Sequence, residues 1–186
     1  MKIAILGGAF NPPHIGHLIL AQEVIDILGL DKIFFIPTNV SPHKKNNEVN
    51  PDLRLEMLKL VTGGNKRFEV LDLEVKRGGT SFTIDTVREL KKAYPEDEFY
   101  LVIGSDLLRR LPEWKDFEQL KKEVKIVVAH RENYPIDKSS DFILANITQI
   151  DVSSSQIRDL IKQGRSIRYL VKGSIKDYIE KHNLYK

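Results

Sequence analysis

Two histidines three residues apart, His14 and His17, follow a Gly7-Gly8 pair and a Pro12-Pro13 pair near the start of this 186-residue chain. The apolar run Lys2–Leu6 ahead of them suits a buried strand, the prolines forbid regular structure, and helix-competent sequence resumes at Ile15. His14 and His17 then fall in the first turn of a helix and on one face, because residues three apart are neighbours there. The first N–H groups of a helix lack intrahelical partners and its dipole favours negative charge, so the turn reads as an anion site with two imidazole donors. Two other readings stay open on these residues alone. Histidines at this spacing can share a metal ion, although no Glu or Asp nearby completes a ligand set and Asn11 is the nearest candidate. The pair can also simply cap the helix.

The elements that must position this turn form an alternation. Lys2–Leu6, Lys32–Ile36, Phe68–Val75, Glu98–Ile103, Lys125–Ala129 and Ile147–Val152 read as strands. Ile15–Leu28, stopped by Gly29, reads as a helix, as does Pro51 to about Thr62, with Asn50 as cap and Gly63-Gly64 as stop. Further helices are expected at Phe82–Ala93, Ser105–Leu111, Lys115–Lys122, Ser153–Gln163 and Ser174–His182. Strands alternating with helices predict an α/β fold, a doubly wound parallel sheet covered on both faces. The length suits one core, so residues 1–186 are expected to form a single domain in which 153–186 is a small helical subregion. In such a sheet ligands bind beyond the C-terminal strand ends, at the switch in strand order. The loops at Gly7–His14, Pro37–Val49, Gly104–Asp106 and Ser153–Ser155 should therefore converge on one crevice.

Composition removes several classes. With no cysteine there is no thiol nucleophile, disulfide or Cys-ligated metal. No apolar run approaches the roughly 18 residues that span a bilayer, and the opening residues lack the pattern of a signal peptide. A cytoplasmic protein with no membrane partner is expected. The net charge of +3 is spread in small spots such as Lys44-Lys45 and Lys121-Lys122. Such spots suit phosphate-bearing small molecules rather than nucleic acid, which prefers a continuous basic stripe. Neither G-x-G-x-x-G nor G-x-x-x-x-G-K-[ST] occurs, so the loop after the first strand must hold phosphates by another design.

Gly7-Gly8-Ala9-Phe10-Asn11-Pro12-Pro13-His14-Ile15-Gly16-His17 resembles the H-x-G-H signature of the nucleotidyltransferase superfamily. Ser153-Ser154-Ser155-Gln156-Ile157-Arg158 is similar to its second signature, I-S-S-T-x-I-R. Within the superfamily the chain resembles the bacterial nicotinate-nucleotide adenylyltransferases over nearly its full length. Pro37–Lys44, Gly79–Thr86, Gly104-Ser105-Asp106 and Leu111–Lys115 carry that likeness. Asn11 stands where the family often has Asp, and Ser155 where the superfamily often has Thr.

The resemblance implies a Rossmann-like nucleotidyltransferase fold and adenylyl transfer from ATP to nicotinate mononucleotide, with Mg²⁺ carried by ATP and no protein metal site. It admits a monomer or a homo-oligomer. It places Gly7, Gly8, Ala9, Phe10, His14, His17, Gly104, Asp106, Ser154, Ser155, Ile157 and Arg158 at ATP, with His14, His17 and Arg158 catalytic. Asn39, His43, Lys44, Thr80, Thr83, Trp114 and Lys115 fall on the acceptor side. Trp114 would stack on the pyridine ring, and the Thr80–Thr83 segment would receive the nicotinate carboxylate. Each has a plainer alternative: N-capping for Ser153–Ser155 and Asp106, a solvated side chain for Lys44, a core or rim ring for Trp114. Rival functions are another superfamily member with a phosphopantetheine or nicotinamide mononucleotide acceptor, a module that holds ATP without turnover, and a metal hydrolase using His14 and His17.

Overall fold

The structure, a computed structural model, describes residues 1–42, 49–130 and 142–186. Six strands form one parallel sheet: β1 (Lys2–Gly8), β2 (Lys32–Pro37), β3 (Phe68–Val70), β4 (Glu98–Gly104), β5 (Lys125–Ala129) and β6 (Ile143–Ala145). Their order is β3-β2-β1-β4-β5-β6. The chain winds outward from β1 in one direction and from β4 in the other, so the switch in strand order lies between these two neighbours.

Alternation along each strand feeds two cores. Ala4 and Leu6, Ile33 and Phe35, Tyr100 and Val102, and Val127 and Ala129 face one side. They meet Leu20, Ala21, Val24 and Ile25 of helix α1 (Ile15–Leu28), Met57, Leu58 and Val61 of α2 (Pro51–Thr62), and Ile175 and Ile179 near the C-terminus. Ile3, Ile5, Phe34, Ile36, Leu101 and Ile103 face the other side and pack on Ile84, Val87 and Leu90. Burial on both faces explains why these strands are apolar without interruption.

The remaining helices are α3 (Leu73–Arg77), α4 (Thr83–Ala93), a 3-10 segment (Ser105–Glu113), α5 (Phe117–Glu123), α6 (Ser154–Lys162) and α7 (Gly173–Lys181). Two expected strands fail. Phe68–Val75 is extended only to Val70, and α3 begins at Leu73. Ile147–Val152 does not join the sheet; the edge strand is Ile143–Ala145, in register with Val127–Ala129. The helix expected after Ser105 is 3-10 in form, and Pro112, which has no N–H to give, lies inside it.

Candidate active site

The loop leaving β1 is built around a buried aromatic ring. Phe10 adopts a positive φ of 46° and is 2% exposed. A Cβ on Gly8 would lie 3.3 Å from that ring, so glycine lets the backbone close over it. Thr38 N–H donates to Gly8 O at 2.9 Å, which ties the loop after β2 to the loop after β1.

His14 is the N-cap of α1 and is buried. Its N–H donates to His17 Nδ1 at 3.2 Å, and the two rings lie 3.7 Å apart at 31°. The Phe10 ring meets His17 edge-on at 4.9 Å. An accepting Nδ1 carries a lone pair, so this hydrogen bond assigns the neutral His17 proton to Nε2. Gly16 makes room for the arrangement, because a Cβ there would meet His14 Nδ1 at 3.1 Å and Cε1 at 3.2 Å. The helix start offers fewer N–H groups than expected from sequence. Ile15 N–H donates to Leu170 O at 3.1 Å and His17 N–H to His14 O at 3.0 Å.

Helix α6 clasps the same loop. Ser153 caps it, accepting from Gln156 N–H at 3.1 Å. Ser154 Oγ donates to Pro12 O at 2.8 Å, and Arg158 Nη1 donates to Asn11 O at 2.8 Å. Arg158 Nη2 reaches Ser155 Oγ at 3.1 Å. From the C-terminus, the buried Tyr185 hydroxyl donates to Asn11 Oδ1 at 2.6 Å. The second signature therefore sits against the first and fixes its carbonyls. Ile157 turns its side chain into the core, and its N–H is bonded to Ser153 O, so it presents no free polar group to the crevice.

The second half of the site lies along the loop after β2 and the start of α4. Asn39 N–H donates to Ser81 Oγ at 2.9 Å, and Asn39 Nδ2 to Gly79 O at 2.9 Å. Ser81 N–H donates to Val40 O at 2.8 Å, and Thr80 bridges Val40. Gly78 and Gly79 take φ of 71° and 64°, a turn that costs other residues strain. The N-cap of α4 is Phe82, whose side chain carries no acceptor, so no side chain caps the opening N–H groups at Thr83, a start that suits an anion. Lys115 Nζ bonds Asp85 at 2.9 Å and stands 4.8 Å over the Phe82 ring. These contacts bring Lys115, and with it the neighbouring Trp114, to the first turn of α4. Trp114 is half-buried against the second core, with Nε1–H unpartnered. Gly104, not Asp106, is the N-cap of the 3-10 segment, and Asp106 lies in its first turn at the end of β4. His43 and Lys44 lie outside the described residues.

Two buried ionisable residues escaped the sequence reading. Arg54 of α2 is 0% exposed beneath both loops. Glu74 of α3 is buried behind the Gly78–Thr83 turn, where Thr86 Oγ1 donates to its Oε1 at 2.7 Å. Burial pushes the Glu74 carboxyl above its ordinary value, against the opposing pull of the Thr86 bond and the charge of Arg77. A carboxyl whose folded-state pKa exceeds its unfolded value binds more protons when folded. Its contribution to stability is thus present at low pH and lost as pH rises through the carboxylate range and past the raised value. Thermal melts across that range should show wild type losing stability relative to Glu74→Gln as pH rises; parallel curves would contradict this.

Among the described residues no three His, Cys, Asp or Glu side chains gather around a point that would hold a metal ion. A cytidylyltransferase-like family profile matches residues 5–160. The chain is 42% identical over 185 residues to a protein of Geobacillus thermodenitrificans named "Probable nicotinate-nucleotide adenylyltransferase", covering 99% of this chain and 86% of that one. It is 37% identical over 186 residues to the nicotinate-nucleotide adenylyltransferase of Bacillus subtilis, covering 100% of this chain and 98% of that one. Among solved structures, Plasmodium falciparum nicotinic acid mononucleotide adenylyltransferase complexed with NaAD superposes with a TM-score of 0.83. That match covers 99% of this chain and 97% of that one at 24% identity, a likeness of fold.

Proposed function

We infer the reaction from one premise: this chain belongs to the nicotinate-nucleotide adenylyltransferases, within the cytidylyltransferase-like family. It transfers the adenylyl group of ATP to nicotinate mononucleotide, giving nicotinate adenine dinucleotide and pyrophosphate, a step of NAD biosynthesis. The observation that carries the reading is the junction of two anion-ready segments at the C-terminal edge of β1 and β4. One is the Gly7–His17 loop and the other the uncapped start of α4, with Thr38–Val40 bonded to both.

The acceptor phosphate is a monoester with a second pKa near about 6, so it is a dianion at neutral pH and needs no base. One of its oxygens attacks the α-phosphorus, the bridge to the β-phosphate breaks, and pyrophosphate leaves with the electron pair. The barrier lies in aligning two anions, so the protein contributes position and charge stabilisation. In this account His17 Nε2–H donates to the α-phosphoryl oxygens as negative charge shifts, and His14 and the Gly7–Ala9 backbone hold the phosphates. Ser154 and Arg158 act first by fixing Pro12 and Asn11, and Ser155 completes the cradle. Asp106 accepts from a ribose hydroxyl. Trp114 stacks on the pyridine ring, and the Thr80–Thr83 segment receives the carboxylate, with Asn39 and Lys115 framing it and His43 and Lys44 on the acceptor side. The donors here are N–H groups, imidazoles and hydroxyls, which fits a Mg²⁺ that arrives on the triphosphate and keeps its waters. When bound it neutralises phosphate charge. We place the protein in the cytoplasm as a single nucleotidyltransferase domain with small-molecule substrates, as a monomer or homo-oligomer.

The test is pyrophosphate release from Mg-ATP with nicotinate mononucleotide, nicotinamide mononucleotide or phosphopantetheine as acceptor. Release should be strong with the first and much weaker with the second. Release with phosphopantetheine alone would overturn the roles of Thr83 and Trp114, and tight ATP binding without release would point to a non-catalytic module.

A further inference from the structure

Arg54 is a fully buried guanidinium whose described hydrogen bonds all go to neutral carbonyls. Nη1 donates to Ala9 O at 2.7 Å, Nη2 to Asn39 O at 3.1 Å and Nε to Val49 O at 3.2 Å. None of its ion-pair or hydrogen-bond partners among the described residues is a carboxylate. The acidic group that acts on it is the Tyr185 hydroxyl, which is itself donated to Asn11. A buried charge is retained where it is paired or where it has a task, because removing it from water is costly. Burial holds the guanidinium below its ordinary value, in keeping with a charge that lacks a full counterion.

The three carbonyls belong to three segments. Ala9 lies in the phosphate loop after β1, Asn39 in the loop after β2 that carries the Gly79–Ser81 turn, and Val49 just before α2. Arginine's planar fork spans several acceptors at fixed angles, which a lysine ammonium cannot do. One side chain thus sets the register between the loop that takes ATP and the loop that frames the acceptor.

We infer that Arg54 is a positioning residue of adenylyl transfer: its buried fork holds the donor loop against the acceptor loop, and its charge is offset by the phosphates the site takes up. This rests on the adenylyl-transfer reading given above.

The experiment compares wild type, Arg54→Lys and Arg54→Gln for kcat, for the KM of each substrate, and for binding of ATP against adenosine, which shares the base and sugar without the phosphates. Circular dichroism confirms folding. Arg54→Gln should weaken ATP by roughly tenfold or more while adenosine changes by less than about twofold, since only the former carries the countercharge. Arg54→Lys should recover most of the ATP-to-adenosine ratio yet keep kcat at least about tenfold low, because a point charge does not restore loop register. Equal losses of ATP and adenosine in Arg54→Gln would overturn the charge role. Wild-type kcat in Arg54→Lys would overturn the positioning role. If Arg54→Gln does not fold, Arg54→Lys decides alone: a collapsed ATP-to-adenosine ratio or a normal kcat overturns the inference. The binding comparison needs no turnover, so an inactive wild type would overturn the assigned reaction and leave Arg54 to be judged by binding.

Discussion

Replacing His17 by alanine should lower kcat on the order of 10²- to 10³-fold while the KM for ATP changes by no more than about threefold. The expected loss is large because the role proposed for the imidazole is exercised only as charge moves onto the α-phosphoryl group. Its Nδ1 accepts from the His14 N–H at 3.2 Å, so the donor in the proposed role is Nε2–H. The His14 ring at 3.7 Å and the Phe10 ring at 4.9 Å hold it in place, so little reorganisation precedes reaction. Alanine also removes a capping contact, a change usually worth about 1 kcal/mol of stability. Glutamine at this position can still accept from the cap N–H, so His17→Gln separates the two effects. It should retain most of the stability and still lose the rate. Steady-state kinetics with thermal melts of both variants check this. A collapse of ATP affinity in step with kcat would show that His17 serves ground-state binding instead.

Arg158→Ala should cost about 100-fold in kcat/KM, with the KM for ATP rising as well, because misplacement of a catalytic loop by about 1 Å is enough for a loss of that size. The guanidinium joins Asn11 O to Ser155 Oγ, while its neighbour Ser154 holds Pro12 O. Removing it frees the Asn11 carbonyl, in the loop that leads to His14. Lysine restores the charge without the fork and should recover only part of the loss. The clasp also predicts coupling: Ser154→Ala and Arg158→Ala combined should cost less than the sum of the two, since both grip one short loop. Full rescue by lysine, or strict additivity, would reduce Arg158 to a charge near the phosphates.

The elements that position the site were legible where local signals agreed. Helix α1 begins and ends where the Pro12-Pro13 pair and Gly29 require, and Gly29 takes the left-handed φ of 59° that such a stop uses. Asn50, Pro51 and Gly63 bracket α2, although Gly63 keeps a right-handed φ of −59°. The failures came where local pattern was ambiguous. Leu71 to Val75 alternates apolar and polar residues over a span short enough to suit a strand or a helical turn, and Gly78 with its positive φ closes it as a helix. Ile147–Val152 reads as a strand just as well as Ile143–Ala145 does. Pairing with β5 decides between them, and Thr148 is drawn away by hydrogen bonds to Glu23.

Motif spacing marks the histidine, serine and arginine positions in the sequence, and the structure brings them together around the loop after β1, but their mutual contacts were not legible. The resemblance places Ser154 and Arg158 at ATP, and no sequence pattern shows that Ser154 also holds Pro12 O and Arg158 also holds Asn11 O and Ser155 Oγ. Gly16 explains the glycine of that motif only once the His14 ring is seen to occupy the space of its missing Cβ. Arg54 carries no signal in the sequence that sets it apart from a solvated helix residue. Only the return of two distant loops covers it, and no local pattern encodes that. Tyr185 is similar, since its partner Asn11 is 174 residues away in sequence.

The central claim is that one aligned anion displaces pyrophosphate from another, with no residue becoming covalently attached. The stereochemistry at the α-phosphorus tests it most directly. ATP made chiral by sulfur at the α-position, joined to nicotinate mononucleotide by the wild-type protein, should give a product of inverted configuration, as a single in-line displacement requires. Retention would mean two displacements and an adenylyl group held on the protein, with His14 or His17 as the nucleophile, and would contradict the account.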